Sequence, residues 1–210
     1  LFIEFAGTPK SGKSSCIEIV RHFFRRVGFR VLAPTEGASR RTPSYLKDNL
    51  PAFNTWSGCY ALTHVLEGNH DDRDRYQIAL LDRGLFDALA WFELLRSEDE
   101  INNDEVDAIQ RFFSLELWRS SIGIVFLFKT DPETSMKREH AHTLIGDPGR
   151  TMNTDFLLKL NQAYDTVSEK FKDHYRLSSI DTSDAKQTTP ESTAQDVVTQ
   201  ILDVLDERLS

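Results

Sequence analysis

Apolar residues follow two rhythms along this chain. Short continuous runs at residues 1–6, 29–33, 77–81, 123–128 and 175–180 read as strands buried on both faces. Between them apolar positions recur at helical spacing. Cys16, Val20, Phe23, Phe24 and Val27 form one such stripe, Arg21, Arg25 and Arg26 fall elsewhere, and Gly28 stands where that helix would end. Further helices are predicted at 45–50, 55–67, 85–95, 105–118, 156–171 and 190–209, the last with Val197, Ile201 and Leu205 on one face. Residues 69–74 read as a polar turn and 97–104 as an acidic loop. Asp131 suits an N-cap and Pro132 the first position of another helix.

Strands that alternate with helices predict an α/β protein whose parallel sheet is covered on both sides. With 210 residues the chain fits one domain, and no repeat or low-complexity tract divides it. Composition, at 40% apolar and 28% charged, is that of a globular protein, and no run reaches the ~20 apolar residues that span a bilayer. A net charge of -8 repels polyanions, so a nucleic-acid partner is not expected. Cys16 and Cys59 give no disulfide framework, which suits a reducing cytoplasm. The chain starts at Leu1 inside a strand-like run, without an initiator Met or the regions of a signal peptide, so residues upstream are expected.

The most specific chemistry lies just past the first strand. Gly7-Thr8-Pro9-Lys10-Ser11-Gly12-Lys13-Ser14, with Ser15 following, matches G-x-x-x-x-G-K-[ST] between a predicted strand and a predicted helix. Glycine backbone angles let successive N–H groups converge on one anion, and the helix adds its positive end. Lys13 is expected to be a solvent-facing cation that reaches the β- and γ-phosphates of ATP, and Ser14 to hold Mg²⁺ through its hydroxyl.

In a parallel α/β sheet ligands bind beyond the carboxyl ends of the strands. There the second strand is followed by Glu36, Arg40 and Arg41, the third by Asp82 and Arg83, and the fourth by Asp131. Directly after an apolar strand, Asp82 can take Mg²⁺ or its waters and Arg83 can pair with a phosphate. Asp131 is assigned to capping. His64, His70, His140 and His142 lack a matching set of metal ligands.

On these residues the chain resembles the thymidylate kinase and deoxynucleoside kinase group of P-loop kinases. The likeness runs from the phosphate loop through Glu36, Asp82-Arg83 and Asp131-Pro132-Glu133 to Ile180-Asp181-Thr182-Ser183 after the fifth strand. It implies a three-layer P-loop NTPase sandwich with a five-stranded parallel sheet, nucleoside/nucleotide kinase-like, and a lid around 138–152. By the same resemblance Glu36 faces the phosphoryl acceptor, Asp82 and Arg83 stand beside the acceptor oxygen, and Arg138 and Arg150 reach the transferring group. Lys13, those lid cations and Mg²⁺ would supply the charge that phosphoryl transfer needs. Arg40 and Arg41 are candidates for the acceptor site. Among Phe53, Trp56, Tyr60, Phe86 and Trp91, Trp56 and Tyr60 are chosen to stack on a substrate base. Where thymidylate kinases carry acceptor-holding arginines this chain has Thr35 and, approximately, His64. Its lid arginines stand far apart.

Two classes of function follow. The first is an enzyme that moves the γ-phosphoryl group of ATP to a nucleoside, nucleoside monophosphate or similar small acceptor, with a homodimer left open. The second is a nucleotide-binding regulatory module of a larger protein, with a polynucleotide kinase as a further alternative. No Asn-Lys-x-Asp guanine-reading motif stands at the expected strand ends, which weighs against a GTP switch.

Overall fold

The structure, a computed structural model, describes residues 1–34, 42–69, 76–142, 151–184 and 188–209. Five parallel strands form one sheet in the order β2-β3-β1-β4-β5. They are β1 (Phe2–Gly7), β2 (Val31–Leu32), β3 (Ile78–Asp82), β4 (Ile122–Lys129) and β5 (Leu177–Asp181). The helices are α1 (Lys13–Arg26), α2 (Leu50–Asn69), α3 (Leu85–Ser97), α4 (Asn103–Phe113), α5 (Glu116–Arg119), α6 (Pro132–His142), α7 (Thr154–Phe171) and α8 (Pro190–Leu209). None of the described helices is long and apolar enough to cross a membrane.

Side chains alternate across the sheet with the period of two that extended backbone imposes. Ile3, Phe5, Ile78, Leu80, Ile124, Phe126 and Phe128 pack against Val20 and Phe24 of α1 and Val197 and Ile201 of α8. On the opposite face Phe2, Ala6, Ala79, Leu81, Val125 and Leu127 meet α2, α3, α4 and α7. Three layers result. α3 is buried from Leu85 to Leu95, polar positions included, because it lies between the sheet and other helices.

Local chemistry moved several expected boundaries. Residues 45–50 do not form a helix: a single 3₁₀ turn, Ser44–Leu46, precedes α2. α2 starts earlier than the apolar pattern suggests because the Asn49 side chain accepts from the Ala52 N–H at 3.0 Å and Pro51 fits a first turn that lacks partners for its N–H groups. The expected helix over 105–118 divides at Ser114-Leu115 into α4 and α5. At its start Asn102 and Glu105 form a reciprocal capping box, 2.9 and 3.3 Å. The expected strand at 29–33 pairs only at Val31–Leu32, on the sheet edge. Asp82 ends β3 instead of following it.

Candidate active site

The phosphate loop joins β1 to α1 through three residues at positive φ: Gly7 (132°), Lys10 (59°) and Gly12 (91°). Gly7 has no alternative, since a Cβ there would stand 2.0 Å from the Phe128 carbonyl oxygen of β4. Along the loop successive carbonyls accept from protein donors. Lys13 Nζ donates to Gly7 O at 2.9 Å and Thr8 O at 2.7 Å. Ser135 Oγ and Arg138 Nη1, both from α6, donate to Pro9 O and Lys10 O at 3.1 and 3.0 Å. Thr182, just past β5, donates its hydroxyl to Ser11 O at 2.9 Å. A loop with residues at positive φ that opens a helix has the concave form of an anion nest at a helix N-terminus.

That concave side borders a cavity of 680 Å³ lined by Pro9 to Ser15, Asp82, Arg83, Arg138, Thr182 and the start of α8. Ser14 and Asp82, 68 residues apart, meet on its wall through a hydrogen bond of 2.9 Å from Ser14 Oγ to Asp82 Oδ2. A hydroxyl beside a carboxylate, with phosphate oxygens and waters to complete the shell, is a donor set that fits Mg²⁺. Lys13 is not the solvent-facing cation expected from the sequence. Only 6% exposed, it folds back onto the carbonyls of its own loop and to Ser11 Oγ at 3.3 Å.

A second cavity, of 700 Å³, opens on the other side of Arg83. Its walls include Phe53, Asn54 and Gly58 of α2, Asp87 and Trp91 of α3, Glu139 of α6, and Thr151 and Met152 before α7. Pro9, Lys10 and Arg83 belong to both cavities. Arg83 has φ 65°, donates from Nη1 to both oxygens of Asp87 at 3.2 and 2.9 Å, and stands 5.5 Å from the centre of the Trp91 ring. Lys10 pairs with Glu139 at 2.8 Å, joining the phosphate loop to α6.

Beneath this junction lies Glu4 of β1, fully buried. Its carboxylate accepts from the backbone N–H groups of Phe86 and Asp87 at 3.1 and 2.7 Å, at the first turn of α3. Burial pushes its pKa up to about 8, against the opposing pull of those hydrogen bonds. Gly84 is required here, because a Cβ would come within 2.5 Å of the Glu4 carboxyl carbon.

Not every sequence candidate comes to these cavities. Trp56 stacks on Tyr60 with ring centres 5.2 Å apart, Tyr60 meets His64 edge to face, and none of the three lines either cavity. Phe53 and Trp91 take the aromatic positions on the second cavity, and Phe86 is core. Arg138 lines the first cavity and also donates to Thr182 O at 2.6 Å. Asp131 accepts from the Thr134 N–H at 2.8 Å and is the helix cap expected; against the upward push of desolvation, hydrogen bonds from the Thr134 hydroxyl and N–H lower its pKa. Glu36, Arg40, Arg41 and Arg150 lie outside the described residues. Sequence reasoning passed over Glu4, Asn54, Asp87 and Ser135. The one signal available was a carboxylate inside an otherwise apolar run, at Glu4 in β1 and Asp87 in α3.

A three-layer α/β fold with a phosphate loop after β1 and ligand space at the carboxyl ends of the strands defines a P-loop kinase-type architecture. No family model matches the chain, and no curated protein matches it. Solved structures of deoxyadenosine kinase from M. mycoides are similar to it. The form with products dCMP and a flexible dCDP bound has a TM-score of 0.66 at 14% identity, covering 97% of this chain and 100% of that one. The forms with bound dCTP and dATP give 0.63 and 0.62, also at 14% identity, covering 97% of this chain and 100% and 99% of those chains. At that identity the likeness carries the fold alone: this chain shares the P-loop α/β fold of those structures. It bears on the deoxynucleoside kinase side of the resemblance and not on thymidylate kinase specifically.

Proposed function

We propose that this chain transfers the γ-phosphoryl group of ATP to a nucleoside, a nucleoside monophosphate or a similar small acceptor. The observation that carries this reading is the junction of two cavities, of 680 and 700 Å³, across Pro9, Lys10 and Arg83. A module that only binds a nucleotide needs the first cavity. The second matters for an acceptor that must approach the terminal phosphate in line.

In this reading the loop from Gly7 to Ser15 cradles the phosphates, and Lys13 exchanges its carbonyl partners for phosphate oxygens. Ser14 and Asp82 would hold Mg²⁺, which would supply charge neutralisation at the phosphates of ATP. Arg83, at the meeting of the cavities, faces the oxygens whose charge redistributes during transfer. Phe53 and Trp91 offer aromatic surface to an acceptor base, and Asn54 an amide. Glu36, four residues past β2 in the sequence, is the proposed base for a hydroxyl acceptor, and Arg138 and Arg150 the proposed lid cations. The names of the similar structures, a deoxyadenosine kinase with deoxynucleotides bound, favour the nucleoside class of acceptor.

The test is a screen of nucleosides, nucleoside monophosphates and oligonucleotides with radiolabelled ATP, run on wild type and Glu36→Gln. A nucleoside acceptor predicts labelled product and a fall of about 10² or more in turnover for Glu36→Gln, at little change in ATP affinity. A monophosphate acceptor predicts that Glu36→Gln mainly weakens acceptor binding. Tight ATP binding by calorimetry without transfer to any acceptor would replace this reading with the regulatory module.

A further inference from the structure

We propose that Asp87 is a positioning residue: it fixes the Arg83 guanidinium where the two cavities meet and ties it to the first residue of the phosphate loop. The role in transfer rests on the phosphotransferase reading above; the tie itself does not.

Asp87 is 3% exposed, yet it belongs to the wall of the second cavity. Its Oδ1 accepts from the Gly7 N–H at 3.3 Å, from Arg83 Nη1 at 3.2 Å and from the Tyr164 hydroxyl of α7; its Oδ2 accepts from Arg83 Nη1 at 2.9 Å. Its own N–H is held by Glu4. One carboxylate therefore joins β1, the turn after β3, α3 and α7.

A buried ion pair is a poor device for stability, because desolvation offsets much of the attraction. It is an effective device for orientation. An arginine at the rim of a cleft would otherwise sample many rotamers, and ordering it during the reaction would raise the barrier. Here the guanidinium is held from one side by Asp87 and lies over the Trp91 ring, while its backbone takes a φ of 65° that side chains rarely adopt. Surroundings that fix both ends of a strained residue are what a pre-aimed cation requires. Because Gly7 shares the same carboxylate, movement of the phosphate loop on binding nucleotide reaches Arg83 through a single side chain.

The experiment compares wild type, Arg83→Gln, Asp87→Asn, the double variant and Tyr164→Phe in turnover, in ATP affinity and in the Trp91 contribution to fluorescence, obtained as the difference from the matching Trp91→Phe protein. Asp87→Asn is expected to lower kcat by about 10-fold to 100-fold with KM for ATP within about threefold, and to add less than about twofold when Arg83 is already Gln. An equal loss in both backgrounds overturns the proposal. Fluorescence needs no acceptor: release of Arg83 in Asp87→Asn is expected to shift Trp91 emission, and an unchanged emission in the folded variant overturns the proposal even if wild type transfers phosphate to nothing. Should Asp87→Asn not fold, Tyr164→Phe decides. It keeps the Arg83 pair, so it is expected to lower the melting temperature with turnover within about twofold; a loss as large as that of Arg83→Gln overturns the proposal.

Discussion

The two cavities that meet at Arg83 are of similar size but are built from different materials. The first is centred on backbone: a loop with positive φ at Gly7, Lys10 and Gly12, whose carbonyls are held by donors and which ends on the first turn of α1, with Asp82, Arg83, Arg138 and Thr182 around it. The second is made of side chains from α2, α3 and α6 and from the segment before α7, brought together only when those elements pack. Backbone groups present the same chemistry whatever residues surround them, which suits a ligand part that is always phosphate. Side chains suit a part that differs from one acceptor to another.

The difference can be broken hardest at Gly7. Gly7→Ala would drive a Cβ onto the Phe128 carbonyl and force an alanine to φ 132°. A destabilisation of about 3 kcal/mol or more is expected from strain and overlap together, with ATP binding lost, as measured by urea denaturation and calorimetry. A variant of unchanged stability that binds ATP normally would remove the backbone account of the first cavity.

Lys13→Ala separates the loop's shape from its charge. Turnover is expected to fall by at least about 10²–10³-fold. Stability should fall by about 1–3 kcal/mol as Gly7 O and Thr8 O lose the Lys13 ammonium, Thr8 O keeping the Ser11 hydroxyl as donor. Unchanged ATP turnover in the folded variant would end the phosphate-loop assignment.

On the side-chain cavity the expected effects are smaller and selective. Phe53→Ala should raise KM for the acceptor about 10-fold, the loss of one aromatic wall, while ATP affinity stays unchanged. Trp56→Ala, whose ring stacks on Tyr60 outside both cavities, should change the same KM by less than about twofold. The reverse pattern in steady-state kinetics would move the acceptor to the Trp56–Tyr60 stack.

A pH-dependent effect concerns the buried carboxyl under the junction. Folding raises the Glu4 pKa from its ordinary 4.5 to about 8, so the folded state keeps a proton that the unfolded chain releases. Stability from this group is full below about pH 4.5 and is lost as pH rises through about 8. Urea midpoints measured from pH 5 to 9 should fall with pH in wild type, and Glu4→Gln should flatten that slope. An identical slope in the variant would show that another group sets it.

How far the sequence was readable depended on which interactions decide each feature. Strand periodicity at Ile3, Phe5, Phe126 and Phe128 announces burial directly, because a side chain two residues on returns to the same face. By contrast α2 starts at Leu50 through the Asn49 cap, and the 105–118 stripe breaks at Ser114-Leu115, details that apolar spacing does not register. Trp56 and Phe53 look alike as aromatic candidates. Three apart on α2, they share one broad face of the helix, and only the packing of that helix in the fold places Phe53 on the cavity and Trp56 against Tyr60.

By itself, then, the sequence determined the alternation of strands and helices and the phosphate loop between the first strand and the first helix. These are set by local backbone requirements and by hydrophobic period, which a linear sequence records. The tertiary structure alone decided that Lys13 folds onto its own loop, that Glu4 and Asp87 lie buried under Arg83, and that α2 offers Phe53 and Asn54 to a second cavity. The Lys13 fold-back spans only 6 residues but is completed by the burial of the loop, while the Glu4–Asp87 contact joins residues 83 apart and the second cavity needs several helices to pack, and none of this is written in the spacing of residues along the chain.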